Sequence, residues 1–154
     1  MTAIDNASGF EPSAFTVEIA METRGQFNER LGLQFIEVSP ERVVATLPVD
    51  GNRQPYGLLH GGANAALAET LGSVAAVLNA PAGKAAVGLE LSCTHHRAAR
   101  VGLVTGVCTP LHVGRTTSTF ETVITDEDGK RTCTARLTCL IRDAPPGGPE
   151  TTNP

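Results

Sequence analysis

Gly61-Gly62-Ala63-Asn64-Ala65-Ala66-Leu67-Ala68-Glu69-Thr70-Leu71-Gly72-Ser73-Val74-Ala75-Ala76-Val77-Leu78-Asn79-Ala80 is the stretch that decides the fold. Alanine, leucine and valine dominate it, Lys and Arg are absent, and its one charged residue is Glu69. A helix that is apolar on nearly all sides is a buried helix, and Pro81-Ala82-Gly83 supplies its stop. Downstream, residues 85–94, 102–111, 116–125 and 131–141 read as strands, the last two joined by Asp126-Glu127-Asp128-Gly129, a hairpin signal. Upstream, residues 33–39 and 42–49 read as two more strands around a turn at Pro40, and 17–31 as a helix with Gly32 at its left-handed stop. One buried helix with two strands before it and four after it predicts an α+β fold, an antiparallel β-sheet wrapped around one long central helix.

The rest of the composition fits one domain of that kind. The chain has 154 residues, 41% hydrophobic and 18% charged, and a chain of this length buries roughly 70% of its unfolded surface. No repeat or second domain is visible. A net charge of −4 leaves no basic surplus for phosphate neutralisation, which argues against nucleic acid as a partner. No run reaches the roughly 18 apolar residues of a membrane span, and the first twelve residues lack the pattern of a signal peptide, so the expected location is cytoplasmic with no membrane partner. Polar or Pro- and Gly-rich ends predict disordered tails at 1–14 and 143–154 around an ordered domain at 15–142. Cys93, Cys108, Cys133 and Cys139 are spaced by 15, 25 and 6 residues, without a C-x-x-C pair. They read as small buried hydrophobes, and no metal site is expected, since a strand puts His96 on the face opposite Cys93 and His95.

The chemistry gathers around the central helix. His60-Gly61-Gly62 stands at its start, where backbone N–H groups have no intrahelical partner and two residues without side chains admit a ligand. Such a terminus suits an anion or a polarised carbonyl oxygen. Glu69 needs an explanation in an apolar helix, either as a group reaching solvent or capping a neighbour, or as a reactive carboxylate. Ser73 lies one turn on along the same face, and Gln54 just upstream of the glycine pair.

Three segments carry a family resemblance: Leu47-Pro48-Val49-Asp50, Gln54-Pro55-Tyr56-Gly57-Leu58-Leu59-His60-Gly61-Gly62-Ala63 and Leu67-Ala68-Glu69-Thr70-Leu71-Gly72-Ser73-Val74-Ala75. They resemble the hotdog-fold acyl-CoA thioesterases, most closely the 1,4-dihydroxy-2-naphthoyl-CoA hydrolases of menaquinone biosynthesis and their enterobactin-pathway proofreading relatives. The similarity continues through Val87-Gly88-Leu89-Glu90, His95-x-Arg97 and Gly106-Val107-Cys108-x-Pro110-Leu111-His112-x-Gly114. An isolated H-G-G is weak evidence, and this ordered set across residues 30–141 is strong.

The resemblance implies hydrolysis of an aromatic acyl-CoA, foremost 1,4-dihydroxy-2-naphthoyl-CoA or a related aryl-CoA, to free acid and CoA, with a thioesterase of broad or aliphatic acyl-CoA specificity as the alternative because an apolar pocket discriminates weakly. Coenzyme A is part of the substrate and no cofactor is needed. Glu69 matches the catalytic carboxylate, acting as nucleophile on the thioester or as general base for water. Gly61 matches the N–H that polarises the carbonyl. Gln54 and His60 match residues that orient the thioester, with a structural imidazole the competing reading for His60, and Ser73 matches the polar neighbour of Glu69. A substrate contact maps to Gly62, and nucleotide contacts to Gly88 and to His95, His96, Arg97 and Ala98. A further nucleotide set is His112, Val113 and Gly114 with Arg115, Thr116 and Thr117. His96 and Thr116 depart from the residues expected in the closest relatives. Arg97 and Arg115 are the charged phosphate partners. The resemblance also implies a homodimer with shared sites, Gln54 and Gly61 of one subunit facing Glu69 and Ser73 of the other, with dimers pairing into tetramers. Two other functions on the same fold remain to be separated from this one. A non-catalytic acyl-CoA sensor has no use for Glu69, and a hydratase is disfavoured by the lack of a D-x-N-x-H run.

Overall fold

The computed structural model describes residues 14–144. The tails expected at the two ends fall almost wholly outside these residues. Within them the order of elements is α1 (Val17–Glu22), α2 (Gly25–Leu31), β1 (Gln34–Val38), β2 (Val43–Pro48), α3 (Gly61–Asn79), β3 (Lys84–His95), β4 (Leu103–Val113), β5 (Thr117–Thr125) and β6 (Arg131–Asp143). The six strands form one antiparallel sheet in the order β1-β2-β4-β5-β6-β3. The sheet wraps α3, which packs against β2, β3, β4, β5 and β6. This is the expected α+β hotdog architecture.

Two parts of the reading change. The helix expected over 17–31 is two helices, because Thr23 turns its hydroxyl back onto the Ile19 carbonyl at 2.7 Å and Gly25 takes a φ of 76°. Gly32 ends the second helix at φ 74°, its N–H bonded to the Asn28 and Glu29 carbonyls. At the other end β6 runs through Asp143, one residue past the expected limit of the domain, because Lys84 pairs with Asp143 across the sheet at 2.5 Å and the Ala144 N–H reaches the Gly83 carbonyl. The hairpin is as expected: Asp126 Oδ1 accepts the N–H groups of Asp128 and Lys130, and Gly129 has a φ of 74°.

The seat of α3 is made by the absence of two side chains. A Cβ at Gly72 would lie 2.6 Å from Leu137 of β6, and one at Gly106 of β4 would lie 2.7 Å from Leu71. Leu67, Leu71, Ala75 and Leu78 thereby enter a core with Phe120, Ile124 and Leu137. Cutting a fully buried leucine such as Leu71 to alanine in a core of this density costs about 2–5 kcal/mol. Gly62, Ala66, Glu69, Ser73 and Val77, spaced along one strip of α3, are all at least partly open. β3 is an edge strand with Val87 and Leu89 exposed. No helix among the described residues is long and apolar enough to cross a membrane.

Candidate active site

The loop before α3 is tied down by its backbone. The Gln54 N–H bonds to the Leu58 carbonyl at 2.8 Å, the Leu59 N–H to the Ala99 carbonyl at 2.9 Å, and the His60 N–H to the Asn52 carbonyl at 2.8 Å. This places the start of α3 beside the segment that follows β3. Between them lies a groove of about 350 Å³ lined by Gln54, Leu58, Leu59, Gly61 and Asn64 on one side and His95, His96, Arg97, Ala98 and Ala99 on the other.

The polar groups in and around the groove have few partners. His60 is the N-cap of α3, its Nδ1 accepting the Gly62 N–H at 2.8 Å, so the structural role of this imidazole is present in the fold. The Gly61 N–H has no hydrogen-bond partner among the described residues. Gln54 turns its Oε1 to the Tyr56 N–H, which leaves its amide N–H groups for a ligand. A Cβ at Gly61 would lie 2.9 Å from His95 Nε2, so any side chain there would push the imidazole aside.

Glu69 and Ser73 do not line this groove; they lie further along the open face of α3. The Glu69 carboxylate extends over Gly88 of β3, where any Cβ would collide with its Oε1. Burial raises its pKa above the ordinary carboxylate value. Its negative charge adds to burial in pushing the Cys139 thiol up to about 11, and burial raises Cys133 to about 12. The four cysteines are free, and no group of three or more His, Cys, Asp or Glu side chains suited to a metal ion occurs among the described residues.

Besides Gly88, the residues expected to touch the nucleotide form two groups. His95, His96, Arg97 and Ala98 lie in the groove. His112 and Val113 end β4, Gly114, Arg115 and Thr116 make the turn, and Thr117 begins β5. Thr117 is paired with Leu140, whereas Ile124 and His95 are both paired with Cys133. The groups therefore stand at opposite ends of the sheet, seven residues apart along β5 or roughly 23 Å at about 3.3 Å per residue. Gly88 belongs to the Glu69 end, and Gly62 stays exposed at the start of α3. The sequence reading missed Leu58, Leu59, Asn64 and Ala99 of the groove, and the polar one among them is Asn64, 5% exposed. Its signal was a polar amide in the first turn of an otherwise apolar helix.

A six-stranded antiparallel sheet around one helix, with a carboxylate on that helix and a free N–H at its start, defines a thioesterase of the hotdog class. The chain belongs to the thioesterase superfamily, whose profile matches residues 56–133, and it is a thioester hydrolase. It is 50% identical over 118 residues to the proofreading thioesterase EntH of Cronobacter turicensis, spanning 76% of this chain and 86% of that one, and 51% identical over the same length to EntH of Cronobacter sakazakii. Among solved structures, a thioesterase from Haemophilus influenzae matches with a TM-score of 0.81 at 36% identity, over 84% of this chain and 92% of the other. A mutant thioesterase from Pseudomonas aeruginosa matches at 0.80 and 36%, over 85% and 96%.

Proposed function

We propose that the enzyme hydrolyses an aromatic acyl-CoA, with 1,4-dihydroxy-2-naphthoyl-CoA or a related aryl-CoA as substrate, at a site shared between two subunits. The observation that carries this reading is the half-buried Glu69 carboxylate, the one charge of α3, held on a helix whose first N–H is unpaired. The thioester oxygen accepts the Gly61 N–H and an amide N–H of Gln54, which stabilises the charge it gains as the carbonyl becomes tetrahedral. Glu69 either attacks the carbonyl carbon, giving an anhydride that water opens, or takes a proton from water as the water attacks. In both routes the C–S bond breaks, coenzyme A leaves as the thiol and the acid is released. A single turnover in ¹⁸O-labelled water separates them, because only the anhydride route writes label into Glu69.

Sharing between subunits is supported by two lengths. Gly61 and Glu69 are eight residues apart on one helix, about 12 Å, more than one thioester carbon within about 3.5 Å of both groups spans with ease. The two candidate nucleotide groups stand further apart still. Antiparallel packing of two α3 helices brings Glu69 and Ser73 of one chain to Gln54 and Gly61 of the other, with two sites per dimer. Paired dimers then give a tetramer.

The name of the EntH relatives favours a second reading, a proofreading hydrolase of mischarged aryl thioesters, which uses the same groups. A panel of aryl, short-chain and long-chain acyl-CoAs, with aryl thioesters of a phosphopantetheinyl carrier protein, read by thiol release, tests both. Fastest turnover of aryl-CoA supports the first; preference for the carrier-bound aryl group supports the second. Preference for aliphatic chains overturns both.

A further inference from the structure

Asn64 is buried to 5% exposure one turn into α3 and lines the groove, yet its Oδ1 has no hydrogen-bond partner among the described residues. Its amide nitrogen faces Nδ1 of His95 at 3.3 Å, the one side-chain bond of this buried amide. A polar side chain that is buried with half of its bonding unmet is destabilising as packing. Its value lies in what it does to the imidazole. With the amide N–H donated to Nδ1, the neutral ring carries its own proton on Nε2. That nitrogen stands beside the start of α3, 2.9 Å from where a Cβ on Gly61 would lie.

We propose that Asn64 is a positioning residue that fixes His95 with its proton on Nε2, and that His95 Nε2–H donates to the thioester oxygen beside the Gly61 N–H, as a second donor for the oxyanion. The inference rests on the thioesterase reading of this groove and changes the part of His95 within it, from a nucleotide contact to a group at the reacting carbonyl. No proton is transferred by His95: it donates a hydrogen bond to the oxygen as charge builds and holds its proton throughout, so the proton balance of hydrolysis stays with Glu69 and water. The phosphates are left to Arg97, two residues on in the same groove, whose guanidinium gives paired, charged hydrogen bonds.

The test compares the CoA and pantetheine thioesters of one aryl acid on the full chain. In His95→Ala, kcat falls about 10²-fold on both thioesters with little change in KM, the usual worth of one oxyanion donor. His95→Gln recovers part of the loss, because its amide offers an N–H near the same point. Asn64→Ala lowers kcat about fivefold, the effect of an ordinary hydrogen bond, again on both thioesters. Retained kcat in His95→Ala with a higher KM for the CoA thioester alone overturns the inference and returns His95 to the nucleotide. The ¹⁵N spectrum of the parent decides independently of whether position 64 tolerates alanine: a His95 proton on Nε2 supports the inference and one on Nδ1 overturns it. A parent that hydrolyses neither thioester overturns the reading beneath it, whereas an active parent with an indifferent His95→Ala overturns this inference alone.

Discussion

The Glu69 carboxylate rests over the bare backbone of Gly88, a helix side chain occupying the space that any other residue on β3 would fill. Gly88 does not have a positive φ, so the backbone itself accepts alanine there. Gly88→Ala is therefore expected to fold with an unchanged Tm while moving the carboxylate off its position. Displacement of a reacting group by about 1 Å costs up to roughly 10²-fold, and a kcat lowered 10- to 10²-fold by steady-state thiol release is the expected result.

Under the proposed mechanism Glu69→Gln keeps the shape and removes the carboxylate that serves as nucleophile or base, and kcat should fall about 10³-fold with CoA affinity retained in calorimetry. The same substitution has an opposite effect on stability. Because burial raises the Glu69 pKa in the folded chain, its favourable contribution is fully present below the unfolded value of about 4.3 and is lost as pH rises through the folded value. At pH 7 the charged form is thus the less stable one. Thermal unfolding should show Glu69→Gln with the higher Tm at pH 7 and no advantage at pH 4, and the parent's kcat should rise with pH along a limb centred above the ordinary carboxylate value.

Arg97 and Arg115 are both exposed, and neither makes an ion pair among the described residues, so their alanine variants should unfold like the parent. Loss of a charged hydrogen bond to phosphate is worth about tenfold in affinity. Each variant should raise KM for the CoA thioester by that factor, leave kcat nearly alone and leave the pantetheine thioester unaffected.

Mixing two dead proteins tests the shared site. Glu69→Ala and a Gln54→Ala variant, unfolded together in equal amounts and refolded, should regain about a quarter of parental activity, since half of the dimers are mixed and each mixed dimer has one intact site. Mixed dimers that form and stay inactive would show that each chain carries a complete site of its own.

The architecture was legible because α3 declares itself by composition and the strands by alternation, as in β5, where every second residue is buried. Glu69 was legible for the same reason, as a charge among alanines. The break at Thr23–Gly25 was not, since helical periodicity continues across it and only the Thr23 hydroxyl and the backbone of Gly25 decide against it. Nor were the relations that cross the sheet: the bulge between Gly88 and Glu90 and the pairing of His95 with Cys133 fix which residues meet, and register leaves no trace in one strand read alone. Asn64 carried a signal as plain as that of Glu69, but an uncharged amide in the first helical turn reads as a capping residue until its partner on β3 is seen.

The seven-residue span from Thr117 to Ile124 along β5 has a consequence for heredity. In the shared-site dimer proposed above, one gene writes both halves of every catalytic centre, so one nucleotide change alters each centre alike, and no half can drift toward a new acyl group while its counterpart guards the old one. Two copies joined in a single reading frame would lift that constraint, leaving one lobe to keep the carboxylate and the other the donors.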